Sequence, residues 1–296
     1  MNDFFAAIES GDLPVVRACL ERDPALANAV DHQPLPKSPY DPDPLTTGAG
    51  LPKPPEPRRS LRNTALHLAV RHSQLEVARL LVAYGANVNA VSNGRITPLH
   101  DAMALSELRL DLIRLLVESG ADIKTSTPFD GSLSFRSDPL PVIEYLLEKG
   151  VDVNAARKPG GWTLLDQMIL RMGFPSNIDY VPIIETLLRH GAQVNPDPAE
   201  DVIPPLHTAT LKGCVRVARL LIAAGANPNS RSPWGTPLHA AVVHGSHQLV
   251  ELLLEAGADP FAVEKDGKTP LDLTQPYEEA FQRVERLLDG PTRSEP

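Results

Sequence analysis

The chain has 296 residues, 22% of them charged and 42% hydrophobic, and its formal net charge is −9. Its Lys and Arg residues are dispersed, so it lacks the basic stripe that displaces counterions from phosphates, and nucleic acid is excluded as a partner. The two cysteines, Cys19 and Cys214, fall in different segments and suggest no disulfide framework, and no stretch reaches the roughly 18 apolar residues of a membrane-spanning helix, so a cytoplasmic location without membrane contact is expected.

The first helical pattern runs from Phe4 to Asn28 and contains Gly11-Asp12-Leu13-Pro14 and Asp23-Pro24-Ala25-Leu26. An insertion at residues 31–60 follows, carrying nine prolines: Pro34, Pro36, Pro39, Pro42, Pro44, Pro52, Pro54, Pro55 and Pro57. That density forbids helix or central strand and favours extended, polyproline-like chain. The insertion reads either as a semi-rigid spacer or as a functional element. Pro36-Lys37-Ser38-Pro39 and Pro52-Lys53-Pro54-Pro55 carry the Pro-x-x-Pro spacing of peptides that dock on aromatic-lined domains.

From residue 63 onward one phrase returns: Thr64-Ala65-Leu66-His67, Thr97-Pro98-Leu99-His100, Thr163-Leu164-Leu165-Asp166, Pro204-Pro205-Leu206-His207, Thr236-Pro237-Leu238-His239 and Thr269-Pro270-Leu271-Asp272. Leu66 and Leu99 are 33 residues apart, as are Leu238 and Leu271. The gap of 66 between Leu99 and Leu165 holds an eroded copy. Its second half, Val142 to Asn154, is intact, while its first half around Ser132-Leu133-Ser134-Phe135 is interrupted by Pro139 and Pro141. The copy at Leu165 is longer, with its extra residues in Arg171 to Asn177 between two helices. Each phrase starts a helix: Thr caps it and Pro suits its first turn, where the missing N–H has no partner to lose. The first five phrases and the eroded copy are each followed by a second apolar helix that stops at Gly85, Gly120, Gly150, Gly191, Gly225 or Gly257.

This phrase, its period and the Gly-ended helices resemble ankyrin repeats. The resemblance implies an all-α solenoid of about eight helix-turn-helix units with hairpin-like loops, in which each unit buries its apolar face on the next. The units are expected at about 3–30, 63–93, 96–130, 131–160, 161–200, 203–233, 235–266 and 268–290, in one domain spanning 1–296, with a polar capping helix at Glu278 to Leu288. The first unit also resembles the openings of many bacterial ankyrin proteins, some of which act as immunity or effector proteins; this implies a bacterial partner protein.

Catalytic and metal chemistry find little support. His67, His100, His207 and His239 recur at the repeat period, which implies a structural role with each ring bonding a neighbouring turn. Successive copies lie about 10 Å apart in such a stack, too far to share one metal ion. His244-Gly245-Ser246-His247 flanks an expected turn, with His247 at a turn-stabilising position. Asp166 and Asp272 replace the motif His and read as capping residues, not as paired carboxylates for acid–base work. No phosphate-binding loop or His-Glu-x-x-His sequence is present. No enzyme activity, metal or cofactor is expected.

What remains is surface. In the fold this chain resembles, first helices line a concave face and the loops form its rim. The positions free of repeat packing are then Arg71 and His72, Ala104 and Leu105, Leu211 and Lys212, and Val243 and His244, with Asn93, Arg95, Arg231 and Trp234 on the rim. The expected partner-binding residues are Arg71, His72, Arg95, Lys212, Trp234 and His244, engaging another protein. The alternative is an enzyme or small-ligand binder that uses the 31–60 loop as a lid over the groove.

Overall fold

The computed structural model describes residues 2–31, 63–92, 96–124, 133, 137–155, 162–172, 178–196 and 203–273. The 31–60 insertion beyond Asp31, Arg95, the segment 173–177 and the helix expected at Glu278 to Leu288 lie outside the described residues. The described residues form two compact units that divide between Val142 and Ile143.

In the first unit, the helices are α1 (Asn2–Ser10), α2 (Leu13–Arg22), α3 (Ala65–Arg71), α4 (Leu75–Ala83), α5 (Pro98–Met103) and α6 (Leu110–Glu118). α7 (Leu140–Glu148) carries the division between the units. The second unit continues with α8 (Leu164–Arg171), α9 (Tyr180–Arg189), α10 (Pro205–Leu211), α11 (Val215–Ala223), α12 (Pro237–His244) and α13 (His247–Glu255). The helices alternate as the repeat requires. First helices (α1, α3, α5; α8, α10, α12) pack on one another and on the second helix of their own repeat within each unit. Among the described residues of 131–139 no first helix forms; Leu133 is buried and Asp138 accepts the Leu140 N–H at the start of α7.

The motif leucines Leu66, Leu99, Leu165, Leu206 and Leu238 are all buried, each between its own second helix and a neighbouring repeat. The copy at Leu271 differs. Its described part is a single 3-10 turn, Leu271–Leu273, with Leu271 only half-buried. The second helices end as their glycines require. At α4, Gly85 has φ +82, its N–H reaches the Val82 carbonyl, and the Ala86 N–H bonds back to Leu81. Gly120, Gly150, Gly191, Gly225 and Gly257 repeat that left-handed φ.

A ladder of asparagines joins successive repeats. Asn89 donates its Nδ2 to the Gly120 carbonyl (2.9 Å) and accepts the Asp122 N–H at Oδ1 (2.7 Å). Asn229 does the same to Gly257 (2.9 Å) and Asp259 (2.7 Å). Asn28, Asn154 and Asn195 make equivalent pairs of bonds. A primary amide both donates and accepts, so one side chain satisfies the carbonyl left open at a helix end and the N–H that follows it.

The insertion leaves from a closed stem. Val30–Asp31 pairs antiparallel with Asn63–Thr64, in the register Val30 with Thr64 and Asp31 with Asn63. The two ends of the 32–62 excursion are therefore already side by side, and a two-residue turn could bridge them. Replacing residues 32–62 with Asn-Gly is expected to leave the melting temperature within about 3 °C of the parent, because loop length enters stability only logarithmically. Loss of cooperative unfolding on calorimetry would show that the excursion helps to hold the first unit together.

Candidate functional site

The repeated histidines hold the scaffold. In α3, Thr64 donates its N–H (3.2 Å) and its hydroxyl (2.8 Å) to His67 Nδ1. His67 Nε2 lies 3.0 Å from the Ile96 carbonyl of the next repeat. A carbonyl only accepts, so Nε2 carries the proton and Nδ1 the lone pair. His239 repeats the scheme with Thr236 and with the Lys268 carbonyl (3.1 Å). Asp166 and Asp272 do the capping half of the same work, accepting the N–H and hydroxyl of Thr163 and Thr269. Burial raises the Asp166 pKa, whereas the bonds from Thr269 lower that of exposed Asp272.

His207 departs from the rule. Pro204 stands where Thr caps the other helices, with neither N–H nor hydroxyl to offer, and buried His207 Nδ1 has no hydrogen-bond partner. Its Nε2 meets Ser232 Oγ at 3.1 Å. Ser232 Oγ also receives the Trp234 N–H and donates to the Gly235 carbonyl. This closes the tip 232–235, where Ser232 and Gly235 form an isolated bridge. The Trp234 ring lies tilted beside the His207 ring, centroids 6.4 Å apart, yet remains 55% exposed. Trp234 is thus an ordered aromatic at a loop tip, anchored on one side and open on the other.

The structure divides the expected binding residues. Arg71 and His72, at the end of α3, belong to the first unit; Lys212, Trp234 and His244 belong to the second. Arg95 lies outside the described residues. The expectation that Arg71 has no structural duty is corrected: its Nε pairs with Asp101 Oδ1 at 2.9 Å, tying α3 to α5. Asp101 is buried and its Oδ2 is unpartnered; burial raises its pKa against the opposing pull of Arg71. His244 also has a neighbour, since a Cβ on Gly213 would collide with its Nε2. The turn after α12 is stabilised by Ser246, whose Oγ caps the Leu249 N–H, and not by His247, which is the first residue of α13.

Sequence reasoning missed the Asn ladder and the special standing of His207, although Asn four residues beyond Gly85, Gly150, Gly191 and Gly225 is a visible signal. Large exposed apolar side chains sit close to the second-unit candidates: Leu211 at the end of α10 and Val243 near the end of α12 are 43% and 63% exposed. Among the described residues, no group of three or more His, Cys, Asp or Glu side chains could hold a metal ion, and no helix is long and apolar enough to cross a membrane.

The family profile described as ankyrin repeats in three copies matches residues 4–127 and 206–275, more than half of the chain. The chain belongs to the ankyrin-repeat family. Ankyrin-repeat domains generally mediate protein–protein interaction, and their relatives are typically non-enzymatic. The chain is 30% identical over 176 residues to the nuclear factor NF-kappa-B p105 subunit of Gallus gallus, covering 58% of this chain and 17% of that protein. It is 33% identical over 175 residues to ankyrin repeat and SOCS box protein 6 of Pongo abelii, covering 51% and 40%. It is 28% identical over 167 residues to the ankyrin repeat protein YahD of Escherichia coli K12, covering 55% and 80%. The match thus spans less than half the length of the first two relatives. Among solved structures, the human ASB11 ankyrin repeat domain superposes with a TM-score of 0.56 at 24% identity, covering 77% of this chain and 99% of that one, a likeness of fold alone.

Proposed function

We propose that this ankyrin-repeat chain is a non-enzymatic module that binds another protein through first-helix faces and loop tips, with Arg71, His72 and Arg95 as contact residues in the first unit and Lys212, Trp234 and His244 in the second. One observation carries the reading: Trp234 is more than half exposed on a tip whose backbone is fixed by Ser232 and His207. A rigid, half-open aromatic gives contact area at low entropic cost, the usual anatomy of an interface anchor. Leu211 and Val243 add exposed apolar surface at the ends of α10 and α12. The likeness to YahD supports a bacterial setting for the partner.

The test is to isolate the partner with the full chain and titrate it against wild type and variants. Trp234→Ala is expected to weaken binding by about 2 kcal/mol or more, roughly thirty-fold, with little change in melting temperature. Unchanged affinity for both Trp234→Ala and Lys212→Glu would move the interface to the second-helix face.

A further inference from the structure

Both tryptophans of the chain, Trp162 and Trp234, are more than half exposed, at 58% and 55%. Tryptophan is on average a well-buried residue, so two open indoles in one unit call for an occupant. Trp162 immediately precedes Thr163, the N-cap of α8, and the Trp234 ring leans on His207 in the first turn of α10. The first helices of this unit start side by side. His207 of α10 bonds Ser232 just before α12, and His239 of α12 bonds the Lys268 carbonyl just before the 3-10 turn. α8 packs on α10 as α10 packs on α12. The two indoles therefore mark the starts of adjacent helices, about 8–10 Å apart.

The sequence holds a ligand with the same step. Pro36, Pro39 and Pro42 recur every third residue, inside an insertion too rich in proline for helix or central strand. A polyproline II chain has three residues per turn and rises about 3.1 Å per residue, so three such rings share one edge at intervals of about 9 Å. That interval matches the step between packed helices. Proline rings rest on aromatic faces, and the carbonyls of a polyproline II chain, which bond nothing within it, can accept an indole N–H. Ordering such a tract costs little, because proline has already lost most of its backbone freedom.

We infer that Trp162 and Trp234 of one copy dock the edge formed by Pro36, Pro39 and Pro42 of a second copy of this chain. The tract belongs to the first unit and the indoles to the second, so the contact joins two different surfaces and continues from copy to copy instead of stopping at a symmetric dimer. The inference rests on the protein-binding reading of the Trp234 tip and gives that tip a first occupant, which any other partner has to displace.

Because the chain has no other tryptophan, its intrinsic indole fluorescence reports on these two side chains alone. The experiment is sedimentation velocity of the full chain over a concentration series, with an emission spectrum at each point and native helicity checked by circular dichroism. Wild type is expected to associate beyond the dimer as concentration rises, with its emission moving to shorter wavelength in step. A Pro36→Ala/Pro39→Ala/Pro42→Ala variant, and Trp162→Ala and Trp234→Ala separately, should each need at least about tenfold higher concentration for the same degree of association. A synthetic peptide of residues 33–45 should dissociate the oligomers, and the same peptide with those three prolines replaced by alanine should not. Wild type that stays monomeric to about 0.2 mM, association untouched by the proline variant or by both tryptophan variants, or an emission shift independent of concentration overturns the inference. If wild type does not associate but Trp234→Ala still weakens a separate partner, the protein-binding reading stands alone. If Trp234→Ala alters neither, both fall.

Discussion

Leu238→Ala is expected to cost about 2–5 kcal/mol of unfolding free energy. Leu238 is fully buried in α12, and that helix packs against α10, α13 and the turn at Leu271–Leu273. Truncation removes apolar contacts on several sides at once, and packed helices relax only partly into the cavity left behind. The equivalent Leu271→Ala should cost markedly less, because Leu271 sits in a short 3-10 turn and is only half-buried. Urea denaturation followed by far-ultraviolet circular dichroism checks both. A Leu238→Ala loss below about 1 kcal/mol, or one no larger than that of Leu271→Ala, would contradict this account of the core.

The contrast between these two leucines shows what the sequence reveals and what it hides. The phrase at 236–239 and that at 269–272 are equally good motifs, and each caps its turn through the same Thr-based arrangement. Local capping chemistry is encoded within four residues, so it is legible wherever the phrase occurs. Burial is not local: Leu238 has a repeat on either side, which a four-residue motif cannot report. The Gly-ended helices were equally legible, since a left-handed residue favours glycine whatever surrounds it. The candidate interface was legible only as a set of positions. That Arg71 is committed to Asp101, and that Trp234 is braced by His207, depends on side chains from neighbouring repeats reaching across. The asparagine ladder lay in plain view as Gly-x-x-x-Asn, yet its meaning also lies between repeats, where the amide meets the next helix end.

His239→Ala is expected to cost about 2–4 kcal/mol, whereas His207→Leu should cost little near neutral pH. Both rings are buried, so exposure does not separate them. Their partners do. Removing His239 strands the Thr236 N–H and hydroxyl and the Lys268 carbonyl, each of which bonds the ring. Removing His207 strands nothing at Nδ1, which is already unpartnered, and Ser232 Oγ keeps its bonds to Trp234 and Gly235. Acid separates the two further. Burial, with a smaller push from His239, lowers the His207 pKa to about 4, while the unfolded chain takes up that proton near 6.5. Between these values the unfolded state holds more protons, so His207 makes stability fall as pH drops from about 6.5 to about 4. His67, also lowered chiefly by burial, acts in the same direction. Asp101 and Asp166, raised by burial, act in the opposite one, since the folded state binds their protons first as pH falls. His207→Leu removes one part of that balance. Relative to wild type, the variant should therefore gain on the order of 2 kcal/mol between pH 7 and pH 4.5, measured by urea titration at each pH. Parallel stability curves would mean that the buried ring takes its proton without unfolding. The orphaned Nδ1 left by Pro204 would then be open to solvent in solution, and Trp234 would lose the fixed neighbour that makes it an anchor.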